Sequence, residues 1–386
     1  MAEKANGHAP DWQAIRREFP TLERFSYLDI GKKAILPRAV EHAMQEWLAD
    51  VYEQAGANAF SMERTEDTRR TVAEVFGMPA ACTALIKNTS EGMNIVAQGF
   101  PWRDGDNVVL SEFEHENHTF PWRHLARRGV QVRIARGDPH APMTVDRYRP
   151  LVDARTRILA VSWVAYGNGA RADIPAFAAL CRERGIKLVV DGIQAVGVLA
   201  DRIEDLGADV VVAGGHKAQF SLAGAGFMYT APDLIDAITP PYAAKFSFTS
   251  NDRTAAAPEL AHDAHRFEYG NPNFLGIWVQ RRAAQYVQRI GLRHIEDRVR
   301  ELTTRLIEGA EQRQIRVRTP RPWAQRAGHV SFDLGVPAPA PVAFLRERGV
   351  VVSEKDGHLR ASAHFYNDAS DIDRLLELLP AAVAHA

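Results

Sequence analysis

The stretch Lys187-Leu188-Val189-Val190-Asp191-Gly192-Ile193-Gln194 is answered, 26 residues after Asp191, by Lys217 in Gly214-Gly215-His216-Lys217. Leu188–Val190 is apolar throughout, as a strand buried on both faces requires, and a carboxylate closes it. The same shape repeats on either side. Short apolar runs fall at residues 83–86, 107–110, 130–135, 157–161, 210–213 and 226–229. Helical periodicity fills the gaps at 63–76, 90–99, 119–128 and 175–184. Strands alternating with helices predict an α/β fold with a mostly parallel, seven-stranded sheet.

The flanks are organised differently. Residues 1–35 read as an arm with a short helix from Asp11 and an extended piece at Tyr27-Leu28-Asp29. A large domain is expected over 36–275. A long connecting helix, interrupted near Gly291, then leads into a small C-terminal α+β domain, the two together spanning 276–386. Strands are expected there at 314–317, 328–332, 350–353 and 358–362.

Composition narrows the function. Of 386 residues, 46% are hydrophobic and 25% charged, within the ordinary range of globular chains. Forty-seven Lys+Arg against 48 Asp+Glu leave a net charge of −1. Bulk attraction to nucleic acid or to an anionic membrane is therefore not expected. Cys82 and Cys181 are too few for a disulfide scaffold. Residues 1–10 lack the apolar core of a signal peptide, and no apolar run is long enough to span a bilayer. A cytoplasmic location is expected.

Ligands of open α/β sheets bind beyond the carboxyl ends of the strands, so the polar residues there are the candidates. Asp191 follows one strand; read alone, it serves equally as a turn or cap aspartate. His216 and Lys217 follow another, after two glycines that allow close backbone approach. Thr89 and Ser90 open a helix, where free N–H groups and the positive dipole end suit an anion as well as a plain cap. His115 and His118 lie in His-Glu-Asn-His, which lacks the His-Glu-x-x-His spacing, so no metal is expected. Neither a full dinucleotide fingerprint nor a phosphate-binding P-loop occurs. Together, an anion cradle, an aspartate, a histidine and a lysine on separate strand ends suit pyridoxal 5′-phosphate. The lysine serves its aldehyde, the carboxylate its ring nitrogen and the helix start its phosphate.

With these residues in place, the chain resembles the class V aminotransferase superfamily of fold-type I pyridoxal-phosphate enzymes, which includes cysteine desulfurases and isopenicillin N epimerase. The resemblance runs from Tyr27 to the C-terminal helix. It implies that Lys217 forms the Schiff base and shuttles the proton through a quinonoid, that Asp191 pairs with the ring nitrogen, and that Gln194 bonds the 3′-oxygen. It implies that His115 stacks on the ring, that Thr89, Ser90 and His216 hold the phosphate, and that Arg360 holds the substrate carboxylate. Asn271, in Phe267-Glu268-Tyr269-Gly270-Asn271-Pro272-Asn273, is expected to reach the neighbouring active site of a homodimer. Lys32, Lys33 and Trp163 are further substrate-side candidates; the two lysines could equally be solvated.

The departures carry information too. Gly214 stands where desulfurases usually have a phosphate-binding serine. The segment before Arg360 is short and lacks the desulfurase cysteine, while Cys82 and Cys181 read as packing residues. The resemblance therefore points to a pyridoxal-phosphate enzyme acting on an amino acid or a derivative. C–S lyase/elimination or epimerase-like chemistry is favoured over transamination or oxidative deamination, with persulfide-forming desulfuration behind both.

Overall fold

The computed structural model describes residues 9–386. Thirteen strands form in chain order: β1 (Ser26–Tyr27), β2 (Thr83–Ile86), β3 (Asn107–Ser111), β4 (Gln131–Ala135), β5 (Thr156–Ser162), β6 (Lys187–Asp191), β7 (Val210–Gly214), β8 (Gly226–Thr230), β9 (Arg316–Val317), β10 (His329–Asp333), β11 (Val350–Val351), β12 (Ser353–Lys355) and β13 (His358–Ser362). The large sheet has the order β2-β8-β7-β6-β5-β3-β4. Only β8 runs against its neighbours β2 and β7; the other pairs are parallel. The fold is thus the expected α/β architecture, with a mostly parallel sheet of seven strands.

Burial explains why these runs became strands. Every residue of β3, β7 and β8 is buried, as strands covered on both faces must be. The helix Thr89–Gly99 lies against β7 and β8. Gly92 permits this contact, since a Cβ there would lie 2.5 Å from Val212. The helix Ile174–Arg184 is capped by Asp173 and stops at Gly185, whose φ of 64° is left-handed.

Beyond the large sheet, β12-β13-β10-β9 form a four-stranded antiparallel sheet. Two apolar clusters result. The first packs both faces of the large sheet; the second gathers Val330, Phe332, Leu345, Leu359, Leu375 and Leu379. The helix Leu292–Gln312 joins them, placing Ile295 and Val299 in the first and Leu302 and Leu306 in the second. Gly291, at φ 91°, separates it from the helix Phe274–Ile290, whose buried face belongs to the first cluster. The segment expected as one strand over 350–353 is split between two sheets. Val350–Val351 pairs in parallel with β1, which stitches the N-terminal arm to the C-terminal part. Ser353–Lys355 pairs instead with β13.

No helix among the described residues is long and apolar enough to cross a membrane, and none of their His, Cys, Asp and Glu side chains cluster as a metal site.

Candidate active site

Three neighbouring strands end at one cavity of about 200 Å³. Thr89 stands over the end of β7, where its hydroxyl accepts from the Gly214 N–H at 3.1 Å. Asp191 ends β6. Arg360, from β13, donates to the Tyr166 carbonyl just beyond β5, at 2.7 Å. Asp191 thus ends the strand between β7, where Thr89 makes its contact, and β5, beyond which Arg360 makes its own.

Asp191 is 5% exposed and accepts from the Ile193 N–H at 2.9 Å. Burial pushes its carboxyl pKa upward, opposed by the nearby His118 imidazole. Such a carboxylate gains strongly from a proton-bearing partner. His118 is itself buried, bonded through Nδ1 to Glu114 at 3.0 Å, and among the described residues its Nε2 has no partner. Glu114 is fixed in turn by the Ser162 N–H and hydroxyl.

Lys217 follows β7 across a tight turn and lines the same cavity. Burial lowers its ammonium pKa to about 8, against the pull of Asp191. About a tenth of it is then the free amine at pH 7, where an ordinary lysine is almost wholly protonated. His115 caps the helix Glu116–Arg123 by accepting the Asn117 N–H on Nδ1, and its ring meets Tyr166 edge-on at 5.0 Å. Burial holds its pKa down, which favours neutral imidazole.

Gln194 is doubly anchored. Its amide donates to the Gly31 carbonyl at 3.0 Å and accepts from His329 Nε2 at 2.9 Å. His329 is fully buried, and burial drives its pKa far down, so the ring is neutral and Nε2 is the donor. One Gln194 amide hydrogen remains for a ligand. The Gly31 segment is tied again where Ala34 N–H bonds the His216 carbonyl at 2.8 Å.

The cavity is therefore lined by the expected Thr89, Ser90, His115, Asp191, Gln194, His216, Lys217, Arg360 and Lys32. Two residues expected on the substrate side lie elsewhere. Trp163 is 2% exposed and packs in the core, because on extended chain Ser162 and Val164 face the cavity and the residue between them faces away. Lys33 is exposed outside the lining, although its carbonyl accepts the Tyr27 hydroxyl at 2.8 Å. Asn271, expected at the neighbouring subunit's site rather than this one, is exposed at a separate depression with Lys87, Glu91 and Tyr269.

Sequence reading missed Asn88, Asn117, Lys355 and the supporting pair Asp29–Ser353. Asp29 accepts from Ser353 at 2.8 Å and from Arg360 at 3.4 Å. For Lys355 a signal existed: Asp356-Gly357 marks a tight hairpin, which fixes the faces of its two strands.

These groups fit pyridoxal 5′-phosphate. The helix start at Thr89 offers N–H groups and a hydroxyl, and the partly free Lys217 amine lies across from a buried carboxylate. Gly214 also fits, although it lacks the expected serine. A Cβ there would crowd the His216 ring at 3.3 Å, so the imidazole occupies that space.

Comparison with known proteins agrees. Residues 26–375 match the family profile described as aminotransferase class-V. A cysteine desulfurase of Salmonella dublin is 30% identical, over 94% of this chain and 96% of its own. A probable cysteine desulfurase of Pyrococcus abyssi is 28% identical over 95% and 96%. The apo structure of the cysteine desulfurase from Thermococcus onnurineus NA1 superposes with a TM-score of 0.88 at 24% identity, over 99% of this chain and 100% of its own, a likeness of fold.

Proposed function

The chain belongs to the aminotransferase class-V family, a family of pyridoxal-phosphate-dependent enzymes, and we propose that it eliminates a sulfur leaving group from an amino acid without a protein persulfide. The observation that carries this reading is the pairing of a reactive Lys217 with a cavity that no thiol reaches. Cys82 and Cys181 are 5% and 2% exposed and lie in the core. Burial raises both thiol pKa values, that of Cys181 to about 12, so neither is a ready nucleophile. The curated relatives carry the name cysteine desulfurase. The hairpin before Arg360 here holds Glu354-Lys355-Asp356-Gly357 and no cysteine.

Bound pyridoxal phosphate supplies an aldehyde for an amine and a protonated ring that accepts the electron pair left at Cα. This chain's residues do the rest. Thr89, Ser90 and His216 would hold the phosphate, and Asp191 would keep the ring nitrogen protonated. Gln194 would offer its remaining N–H to the cofactor oxygen, and His115 would stack against the cofactor. Arg360 binds the α-carboxylate, which orients the Cα–H bond toward Lys217. The Lys217 amine then takes that proton. The net reaction converts an S-substituted cysteine and water into a thiol, pyruvate and ammonium. A homodimer in which Asn271 completes the neighbouring site belongs to this reading.

The test is spectroscopic first. The purified protein should carry a visible aldimine band that Lys217→Ala abolishes or greatly weakens. A protein that stays colourless after addition of pyridoxal phosphate contradicts the assignment. An S-alkylcysteine should then yield pyruvate and thiol in equal amounts. Cys82→Ala and Cys181→Ala should each retain that activity within about twofold, since neither thiol touches the cavity. Loss of turnover in either folded variant, with the band intact, would restore the persulfide route.

A further inference from the structure

Two cavity cations have no task in the reading above. Arg360 is answered by Asp29, and Lys217 faces Asp191. Lys32 and Lys355 also line the cavity, and among the described residues neither has an ion-pair partner. Lys355 is only partly exposed.

The hairpin fixes where that ammonium goes. In the β12–β13 register, Ser353 pairs with Arg360 and Lys355 with His358. All four therefore share one face, and Ser353 bonds Arg360 directly at 3.1 Å. Lys355 lies two residues farther along that face, about 6–7 Å out. The neighbouring acids are turned to other work. Glu354 accepts the Gly357 N–H at 2.6 Å, and Asp356 accepts the Tyr166 hydroxyl at 3.1 Å. These bonds also stiffen the turn. Lys355 shares the face of Arg360, which bonds the chain beyond β5, whereas the Thr89 helix start stands over the end of β7, two strands away.

We propose that Lys355, assisted by Lys32, selects substrates whose side chain ends in a carboxylate. Arg360 takes the α-carboxylate and Lys355 the distal one. This rests on the reading of the cavity as the amino-acid site of a pyridoxal-phosphate enzyme. In an elimination substrate the distal carboxylate rides on the leaving group, two hairpin pairs away from the α-carboxylate.

The experiment uses inert probes on the holoenzyme. Isothermal titration compares glutarate with valerate, and succinate with butyrate; each pair has one chain length and differs by one carboxylate. Glutarate should bind at least tenfold tighter than valerate. The ratio should fall at least fivefold in Lys355→Met and stay within twofold of the parent in Lys355→Arg, with circular dichroism unchanged in both. A parent ratio below tenfold, a ratio that survives Lys355→Met, or one lost in Lys355→Arg overturns the proposal. The two readings fail separately. A protein that takes up no pyridoxal phosphate sinks the assignment of the site. One that takes it up, shows the band and binds both acids alike sinks only the distal-carboxylate selection.

Discussion

Lys217 carries a charge that folding disfavours. Its folded pKa of about 8 lies below the value of about 10.4 expected in the unfolded chain. Between those values the unfolded state binds a proton that the folded state does not. The penalty is therefore full below pH 8 and vanishes as pH rises through the unfolded pKa. Apoprotein bearing Lys217→Met should be more stable than the parent by about 2 kcal/mol at pH 7, and the gap should close near pH 10.5. Urea unfolding at the two pH values measures this; a gap that does not change with pH would place the cause in packing. Other residues show why some roles are legible and others are not. Asp191, His216 and Lys217 stand directly after apolar runs, so their place at strand ends could be read in advance. Trp163 was one position out of phase with the cavity, an error that the period-two alternation of extended chain produces. Lys355 and His329 become visible only when the small sheet supplies their register.

At the scale of elements, most strands of the large sheet were legible because they are short apolar runs ended by a polar residue or glycine, while the edge strand β4 was legible by its alternation of polar and apolar residues. The piece over 350–353 was not, since its two halves pair with strands far apart in sequence, at 26–27 and 358–362. No local pattern encodes that division. The helix Thr89–Gly99 matters most for the site, because its first turn is the anion cradle. Its height above the sheet is set by Gly92, where a Cβ would lie 2.5 Å from Val212 and 3.0 Å from Ile86. Both neighbours belong to buried strands that cannot retreat. Gly92→Ala should therefore lift the helix start, costing about 1–3 kcal/mol by overpacking. Pyridoxal phosphate affinity, followed by titrating the visible band, should weaken at least tenfold. Unchanged affinity with reduced stability would show that the cradle is not set by this contact.

At the scale of the whole molecule, the site is assembled from three parts of the chain: strand ends of the large sheet, the hairpin of the small sheet, and the segment 29–34 of the arm. The arm contributes Asp29 to Arg360, the Gly31 carbonyl to Gln194, and the Ala34 N–H to His216. Its placement is therefore a condition for the site. Two ion pairs of Arg16, to Asp371 and Asp368, anchor it from the far end. Arg16 donates to both Asp371 oxygens, at 2.6 and 3.2 Å, and to the Tyr366 carbonyl at 3.0 Å. Asp371 is 2% exposed, and without Arg16 it keeps only Asn367 and the Asp368 N–H. Removing one partner of a buried pair leaves an uncompensated charge and costs about 3 kcal/mol. The same C-terminal helix carries an internal control. Arg305 and Asp373 form an equally short pair, but one that is half exposed, and such pairs are worth less than about 1 kcal/mol. Arg16→Met should lower stability by about 2–3 kcal/mol in urea, whereas Arg305→Met should stay within about 0.5 kcal/mol. The functional readout separates anchoring from mere stability. At temperatures where both variants are folded, Arg16→Met alone should loosen cofactor binding, because the freed arm withdraws the Gly31 carbonyl from Gln194. Equal cofactor affinity in the two variants would show that the arm is held by β1 pairing with β11 and that Arg16 contributes only to the stability of the C-terminal helix.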